Sequence, residues 1–344
     1  MTEVSVVERA VSVSSTVDSR VNAPWGLQRI STASSSSYFT PSSADDDAAN
    51  PVLNYTYSFA NSNLGQGADI YVLDTGIYAK HVVFGGRASM IWSFDNNYTI
   101  EDGHGTHVAG IAGGDVFGVA SKANLFGVKT LNGDGSGWSS DVIAGIDLAL
   151  RQHQNRSRDP DFVGSVMSMS LEASGTVAAI DSAVSAAAAQ GLHAVVAAGN
   201  SGTDACTASP RPRAGPTAPP SRTFSNTGAC VDVYAPGESV LSAWLGGPNV
   251  VKALSGTSMA TPHVTGIVAY AMAGNATLAR SPQLMKEWVV GTALRGLVRA
   301  GKGTVKGDRA LLANNGVRDG QGMEDGLLGL RTRRRAAAAA AAAV

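Results

Sequence analysis

The chain has 344 residues, of which 44% are hydrophobic and 15% charged, and its formal net charge at pH 7 is −1. This length allows one large or two ordinary domains with a sizeable core. The balanced charge argues against nucleic acid or an anionic membrane as the main partner, and no run of 18 apolar residues is present to span a bilayer.

Apolar runs alternate with helical patterns along the chain, after a Ser-, Ala- and Asp-rich stretch at residues 31–50 that is typical of a loop. The predicted strands are 68–73, 123–131, 162–171, 193–198, 231–234 and 240–244. The predicted helices are 104–113, 139–152, 177–190, 258–273 and 282–293. Strands that alternate with crossover helices predict an α/β fold, with a mostly parallel central sheet and helices on both faces.

Three short segments place an acid, an imidazole and a hydroxyl beside glycine, where backbone can approach a substrate closely. Asp74 follows a strand in Val-Leu-Asp-Thr-Gly, His104 opens a helix in His-Gly-Thr-His-Val-Ala-Gly, and Ser258 opens another in Gly-Thr-Ser-Met-Ala-Thr-Pro. A serine hydroxyl is a weak nucleophile until a base takes its proton and a third group orients that base. The order acid, imidazole, hydroxyl is the one that subtilisin uses for this chemistry.

The same order argues against other hydrolases. An α/β-hydrolase needs its acid and its His after the Ser, but the only later His, His263, lies five residues on and on the same predicted helix. A chymotrypsin-like order needs an Asp between the His and the Ser, and none of the candidates Asp115, Asp134, Asp141 and Asp147 follows an apolar strand as Asp74 does. His104 and His107 lack the Glu and the i, i+4 spacing of a zinc-protease motif.

On these motifs the chain resembles the subtilisin-like serine proteases, or subtilases, of the proteinase K type. The resemblance covers roughly residues 22–209 and 223–316 and implies the three-layer subtilisin-like fold. It implies a serine endopeptidase in which Ser258 attacks the scissile carbonyl, His104 transfers the proton and Asp74 orients the imidazole, through an acyl-enzyme. The residues alone leave His104 and His107 open as the base, and the resemblance favours His104.

The resemblance also implies how the chain would hold a substrate. Asn200, in Ala-Ala-Gly-Asn, matches the family's oxyanion Asn and would act with the Ser258 N–H at a helix start. Two segments match the edges between which a peptide lies as an added strand. The implied substrate-binding residues are Gly135, Ser136 and Gly137 on one edge, and Ser170, Leu171 and Glu172 on the other.

Each of these residues, taken singly, also has a structural explanation. A Ser at a helix start is commonly an N-cap, a Gly-Asn pair after a strand is commonly a turn, and Gly135–Gly137 is also typical of a surface turn. Pro262 is expected in the first turn of its helix, where its missing N–H is tolerated.

The first departure from the family pattern is in the primary specificity pocket. Relatives have two Gly after the Ser-Leu of the substrate edge, whereas Glu172 and Ala173 follow Leu171 here. Glu172 either narrows the pocket or favours a basic side chain, and we expect the narrower pocket. By family analogy the preference would otherwise be broad, toward apolar or aromatic residues before the cut.

The second departure lies between the two cysteines. Cys206 and Cys230 allow one disulfide or two free buried thiols; the resemblance favours the disulfide, which would imply an oxidising compartment. Residues 206–225 are Pro-rich, with Pro at five of the eleven positions 210–220, and so cannot form the central strand that relatives have there. The segment is either a natural loop or a gene-model error, which would leave an inactive or misfolded chain.

The predicted organisation is a propeptide remnant at 1–21, a peptidase domain at 22–316 and a low-complexity tail at 317–344. The alternative for the first segment is an ordinary polar arm. Residues 1–10 lack the pattern of a secretory signal, yet the resemblance implies an extracellular monomer. It also implies polypeptide substrates, an inhibitory propeptide as partner, and structural calcium, with no cofactor for catalysis. An esterase with the same triad is a weaker alternative.

Overall fold

The computed structural model describes residues 17–33, 53–173, 175–210, 224–298, 304–318 and 321–322. The predictions for residues 1–16 of the propeptide remnant, for most of the loop at 31–50, for 211–223 of the Pro-rich segment and for most of the tail lie outside the described residues. No helix in the described ranges is long and apolar enough to cross a membrane.

Strands and helices alternate through the described chain. The strands are β1 (Asp18–Ala23), β2 (Tyr55–Phe59), β3 (Ala68–Asp74), β4 (Ala88–Ser93), β5 (Asn124–Lys129), β6 (Gly164–Met169), β7 (His193–Val196), β8 (Val240–Ala243), β9 (Val251–Leu254), β10 (Val317–Arg318) and β11 (Gln321–Gly322). The α-helices are α1 (Trp25–Arg29), α2 (His104–Gly113), α3 (Ser139–Arg156), α4 (Ala178–Ala189), α5 (Thr257–Gly274), α6 (Ala276–Ala279) and α7 (Pro282–Thr292). Short 3-10 helices lie at Val82–Phe84 and Ala205–Thr207.

A five-stranded parallel sheet in the order β4-β5-β3-β6-β7 forms the centre of the fold. All seven residues of β3 are buried, and successive side chains point to opposite faces. Ile70 and Val72 join an apolar cluster that includes α2 and α5, while Tyr71 and Leu73 join a second cluster with α3 and α4. The result is the predicted three-layer α/β fold, with helices on both faces of the sheet.

Four strands of the parallel sheet, β3, β5, β6 and β7, match predicted strands closely, whereas the edge strand β4 was not predicted. Helix 104–113 has the predicted bounds, and the predicted strand 162–171 shortens to β6. The predicted strand at 231–234 is wrong: Tyr234 forms only an isolated bridge with Leu312, so this apolar run is buried without a ladder. The antiparallel pair β1–β2 was not predicted, and β1 crosses the predicted domain boundary at residues 21 and 22.

Pro262 lies deeper in its helix than predicted. Helix α5 begins at Thr257, which puts Pro262 beyond the first turn, where its missing N–H removes a helical hydrogen bond. The carbonyl that would accept that bond belongs to Ser258, four residues earlier. It accepts the Ser170 hydroxyl instead, with 2.9 Å between the two oxygens.

Candidate active site

The residues singled out from the sequence lie at the carboxyl edge of the parallel sheet, where open α/β sheets bind ligands. Asp74 ends β3, His104 begins α2, and Ser258 is the second residue of α5. The two helices pack against each other on one face of the sheet. Chain connectivity therefore brings distant segments of sequence to one edge.

One half of the site, which we call the base half, consists of Asp74, Thr75, Asp102 and His104. The Asp74 side chain is buried, and its two oxygens lie 2.8 and 3.0 Å from His104 Nδ1. A carboxylate can only accept, so Nδ1 carries the proton of this hydrogen bond. The neutral ring therefore has its basic nitrogen at Nε2, free to receive a proton.

Backbone contacts fix the position of the imidazole. Asp102 Oδ1 accepts the His104 N–H at 2.7 Å, and Thr75 Oγ1 accepts the Gly105 N–H at 3.1 Å. A Cβ at Gly105 would lie 2.4 Å from the Gly76 carbonyl oxygen, closer than atoms pack. The glycine therefore permits α2 to begin directly against the turn that follows Asp74.

The electrostatic environment of His104 favours its charged form. Burial alone would lower its pKa, but the charge of Asp74, the hydrogen bond to that carboxylate and the charge of Asp102 together raise the pKa above its ordinary value. The cause is an opposite charge at hydrogen-bond distance, which stabilises imidazolium. A proton taken up by this ring is therefore stabilised.

His107, three residues further along α2, is in the opposite situation. It is buried, and its Nε2 lies 2.9 Å from the Lys252 carbonyl oxygen, to which it donates. Burial lowers its pKa to about 3, because charging an imidazole away from water is costly. The structure thus brings Asp74 to His104 and leaves His107 inside the core.

The other half, which we call the nucleophile half, consists of Ser170, Asn200, Thr257 and Ser258. Ser258 and Ser170 exchange hydrogen bonds: the Ser170 hydroxyl donates to the Ser258 carbonyl, and the Ser258 hydroxyl donates to the Ser170 carbonyl at 3.3 Å. The second is long for an O–H···O bond. Among the described residues no hydrogen bond joins Ser258 to His104.

Asn200 is held so that one end of its amide is free. Its Oδ1 accepts the Thr257 N–H at 2.9 Å, which leaves Nδ2 without a partner among the described residues. Asn226 fixes the loop around it, because its Oδ1 accepts the N–H groups of Ser201 and Thr203 and its Nδ2 donates to the Ala198 carbonyl. The Asn200 amide is therefore an oriented donor at the start of α5.

A cleft of about 740 Å³ joins the two halves. It is lined by His104 and by all six residues that the resemblance implied for substrate binding: Gly135, Ser136, Gly137, Ser170, Leu171 and Glu172. Trp138, 77% exposed, stands at its wall. Ser258 and Asn200 adjoin the cleft through their hydrogen bonds to Ser170 and Glu172. His104 and the residues that are hydrogen-bonded to Ser258 and Asn200 therefore line the same cleft.

Comparison with known proteins agrees with this geometry. The model of the Subtilase family matches residues 65–323, which is more than half of the chain. The chain belongs to the subtilase family. It is 40% identical to Alkaline protease 2 of Aspergillus fumigatus over 287 residues, covering 78% of this chain and 54% of that protein. It is 39% identical to the Subtilase-type proteinase psp3 of Schizosaccharomyces pombe over 285 residues, covering 80% and 59%.

The structural comparison gives the same fold. A cold adapted subtilisin-like serine proteinase superposes with a TM-score of 0.68 at 36% identity, over 85% of this chain and 98% of that one. Sphericase superposes with a TM-score of 0.64 at 29% identity, over 73% and 91%. This subtilase spans little more than half the length of the curated relatives named above.

The cysteines of this subtilase form a disulfide between Cys206 and Cys230, whose Cα atoms lie 5.2 Å apart. The structure therefore has the bridged arrangement that the resemblance favoured. Within the described part of the chain, no group of three or more His, Cys, Asp and Glu side chains could hold a metal ion. Calcium consequently stays a prediction.

Sequence reasoning missed three residues that position this subtilase's site. Asp102 and Thr75 brace the start of α2, and Asn226 organises the loop that carries Asn200. An Asp two residues before a helix start is a detectable signal for a bond to the first N–H groups. Nothing in the sequence around Asn226 indicates its role, because its partners are distant in the chain.

Proposed function

We propose that this subtilase is a serine endopeptidase that hydrolyses peptide bonds through an acyl-enzyme. One observation carries the proposal: a buried carboxylate hydrogen-bonded to the Nδ1 of an imidazole that shares a cleft with the partners of Ser258. Relatives named as proteases at about 40% identity support it.

The proposed reaction begins when the Ser258 hydroxyl turns from the Ser170 carbonyl to His104 Nε2. The long 3.3 Å bond it leaves is a weak one, and such bonds often tighten onto the base only when substrate is bound. Ser258 Oγ attacks the carbonyl carbon as Nε2 takes its proton. Asp74 stabilises the imidazolium that forms.

Charge then develops on the substrate oxygen, and we assign its stabilisation to Asn200 Nδ2 and the Ser258 N–H. Both donors are fixed before reaction, one by the bond between Asn200 and Thr257 and the other by its place at a helix start. The C–N bond breaks and the amine leaves with the proton from Nε2. Water then releases the acyl group by the same sequence.

Substrate class and location follow from the same proposal. A peptide would lie as an added strand between the Gly135–Gly137 and Ser170–Glu172 edges of the cleft. The Cys206–Cys230 bridge supports an extracellular protein, because disulfides persist in oxidising compartments. An inhibitory propeptide, structural calcium and a monomeric state remain predictions of family membership.

The test is covalent labelling with phenylmethylsulfonyl fluoride, read by peptide mass spectrometry. We expect a label on Ser258 in the wild type and none in His104→Ala. The control, His107→Gln, should keep the label wherever circular dichroism shows the fold intact. A label that survives His104→Ala would contradict the assignment of the base.

Two rivals give different results. An inactive or misfolded chain would show no label on Ser258 and no cleavage of any peptide. An esterase would hydrolyse an ester but leave the amide with the same acyl group intact, and we expect cleavage of both.

A further inference from the structure

Glu172 is the charged side chain that sets this cleft apart from the family pattern. It stands at the end of the Ser170–Glu172 edge, where relatives have Gly. Its exposed side chain reaches the loop that carries Asn200, where Oε2 accepts the Asn200 N–H at 3.4 Å and Oε1 accepts Asn226 Nδ2 at 3.1 Å. The carboxylate therefore lies beside the residues assigned to hold the reacting carbonyl.

The backbone at Gly199 leaves room for this carboxylate. A Cβ at Gly199 would lie 2.4 Å from Glu172 Oε1, and the φ of Gly199 is +96°, which other residues rarely adopt. The absence of a side chain at Gly199 lets the carboxylate rest directly on the backbone. The carboxylate consequently lies against the Gly199 backbone, and the group that the edge presents to the cleft at this point is anionic.

The negative charge of Glu172 is not compensated within the described chain. Both of its hydrogen-bond donors, the Asn200 N–H and the Asn226 amide, are neutral. The described residues that line the cleft include the acids Asp102 and Asp134 and no Lys or Arg. A carboxylate has about four acceptor sites, so two accepted bonds leave room for further donors.

The chemistry of the incoming side chain decides which substrate fits. An apolar side chain placed here would displace water from a carboxylate and return no hydrogen bond, which is unfavourable. A Lys or Arg side chain would supply both the charge and the donors, and its aliphatic stem can pack along the wall. Leu171 and Ala173, on either side of Glu172, provide apolar surface for that stem.

We propose that Glu172 makes this pocket select a basic residue, Lys or Arg, immediately before the scissile bond. The inference rests on the proposed endopeptidase function and departs from the apolar preference that family analogy implies. Glu172 is thus a specificity-determining residue, while Asn226 and Gly199 position it.

The test measures binding without turnover. In a Ser258→Ala background, fluorescence anisotropy would give the affinities of two labelled peptides that differ only in Lys or Phe before the scissile bond. We expect the Lys peptide to bind at least about tenfold more tightly, as is usual for hydrogen bonds between charged groups. Adding Glu172→Gln, which keeps the length and an acceptor for Asn226, should bring the two affinities within about twofold.

A matched control removes a negative charge from the opposite edge of the cleft. Asp134→Asn in the same background should leave the ratio of the two affinities within about twofold of its parent, because an exposed charge at a distance is screened by salt. The inference is overturned if Phe binds as well as Lys, if neither peptide binds, or if Glu172→Gln leaves the ratio unchanged.

This design separates the two proposals. Labelling of Ser258 by phenylmethylsulfonyl fluoride together with a Phe preference would keep the endopeptidase and reject the role of Glu172. A Lys preference that disappears in Glu172→Gln, with Ser258 unlabelled, would keep the pocket assignment and reject the chemistry.

Discussion

The two halves of the active site differ in how completely they are assembled. In the base half, Asp74 already holds His104 at 2.8 Å, and Asp102 and Thr75 brace the helix start behind it. In the nucleophile half, the hydroxyl of Ser258, which we propose as the nucleophile, is bonded to the Ser170 carbonyl. The difference indicates that the orientation of the imidazole is built into the fold, whereas the Ser258 hydroxyl must leave the Ser170 carbonyl before it can act as the proposed nucleophile.

The largest expected effect comes from removing the charge that organises the base half. Asp74→Asn should lower kcat about 10⁴-fold with little change in KM, because the amide would favour the wrong tautomer of His104. Steady-state kinetics on a peptide amide would measure it. A loss below about tenfold would show that Asp74 does not set the tautomer. The base half would then not be preassembled in the way proposed above.

The next effect concerns the donor in the nucleophile half. Asn200→Ala should lower kcat about 10² to 10³-fold, a magnitude known from subtilisin, a member of the same family, and carried over from it. The KM should change little, because the donor acts on charge that develops in the transition state. A rise in KM with kcat unchanged would instead assign Asn200 to holding the ground-state peptide.

A smaller effect is expected on the pH dependence of kcat/KM, which reports the pKa of His104 in the base half. His104 must be neutral to accept a proton, so kcat/KM should fall as pH drops through its raised pKa. Asp102→Asn removes one cause of that raised pKa, and the acid limb of the pH profile should move to lower pH. Asp134→Asn, in the same cleft but not among those causes, should leave the limb in place.

Protonation of His104 affects folding stability and activity in opposite directions. Because the folded-state pKa is raised, the Asp74–His104 pair stabilises the fold most fully below the unfolded pKa of the imidazole, and this contribution disappears as pH rises through the folded value. Activity therefore increases over the same pH range in which this contribution to stability is lost.

The smallest effect tests the link between Ser170 and Ser258. Ser170→Ala should reduce the free energy of unfolding by about 1 to 3 kcal/mol, because the Ser258 carbonyl loses the donor that replaces the N–H missing at Pro262. Urea unfolding would measure it. In a Pro262→Ala background the helix supplies its own N–H to that carbonyl, so the same change should cost less. Equal costs in both backgrounds would contradict this explanation.

The sequence predicted the parallel sheet well because its strands are short, apolar and separated by amphipathic helices. Asp74 and His104 could be placed because each marks the boundary of such an element. The β1–β2 pair and the edge strand β4 were missed, and the isolated bridge at Tyr234 was predicted as a strand, since partly exposed strands and isolated bridges carry no clear period. The bonds of Glu172 and Asn226 were also beyond prediction, because they join segments between 23 and 54 positions apart.

The disulfide determines whether the two fragments stay together after a backbone cleavage between the cysteines. Because Cys206 and Cys230 are covalently joined, a single cleavage of the backbone between them would leave both fragments attached. Such a nicked molecule would migrate as one band in a non-reducing gel and separate into two once thiol is added. After such a cleavage, the segment that carries Asp74 and His104 and the segment that carries Ser258 would remain covalently linked through the disulfide.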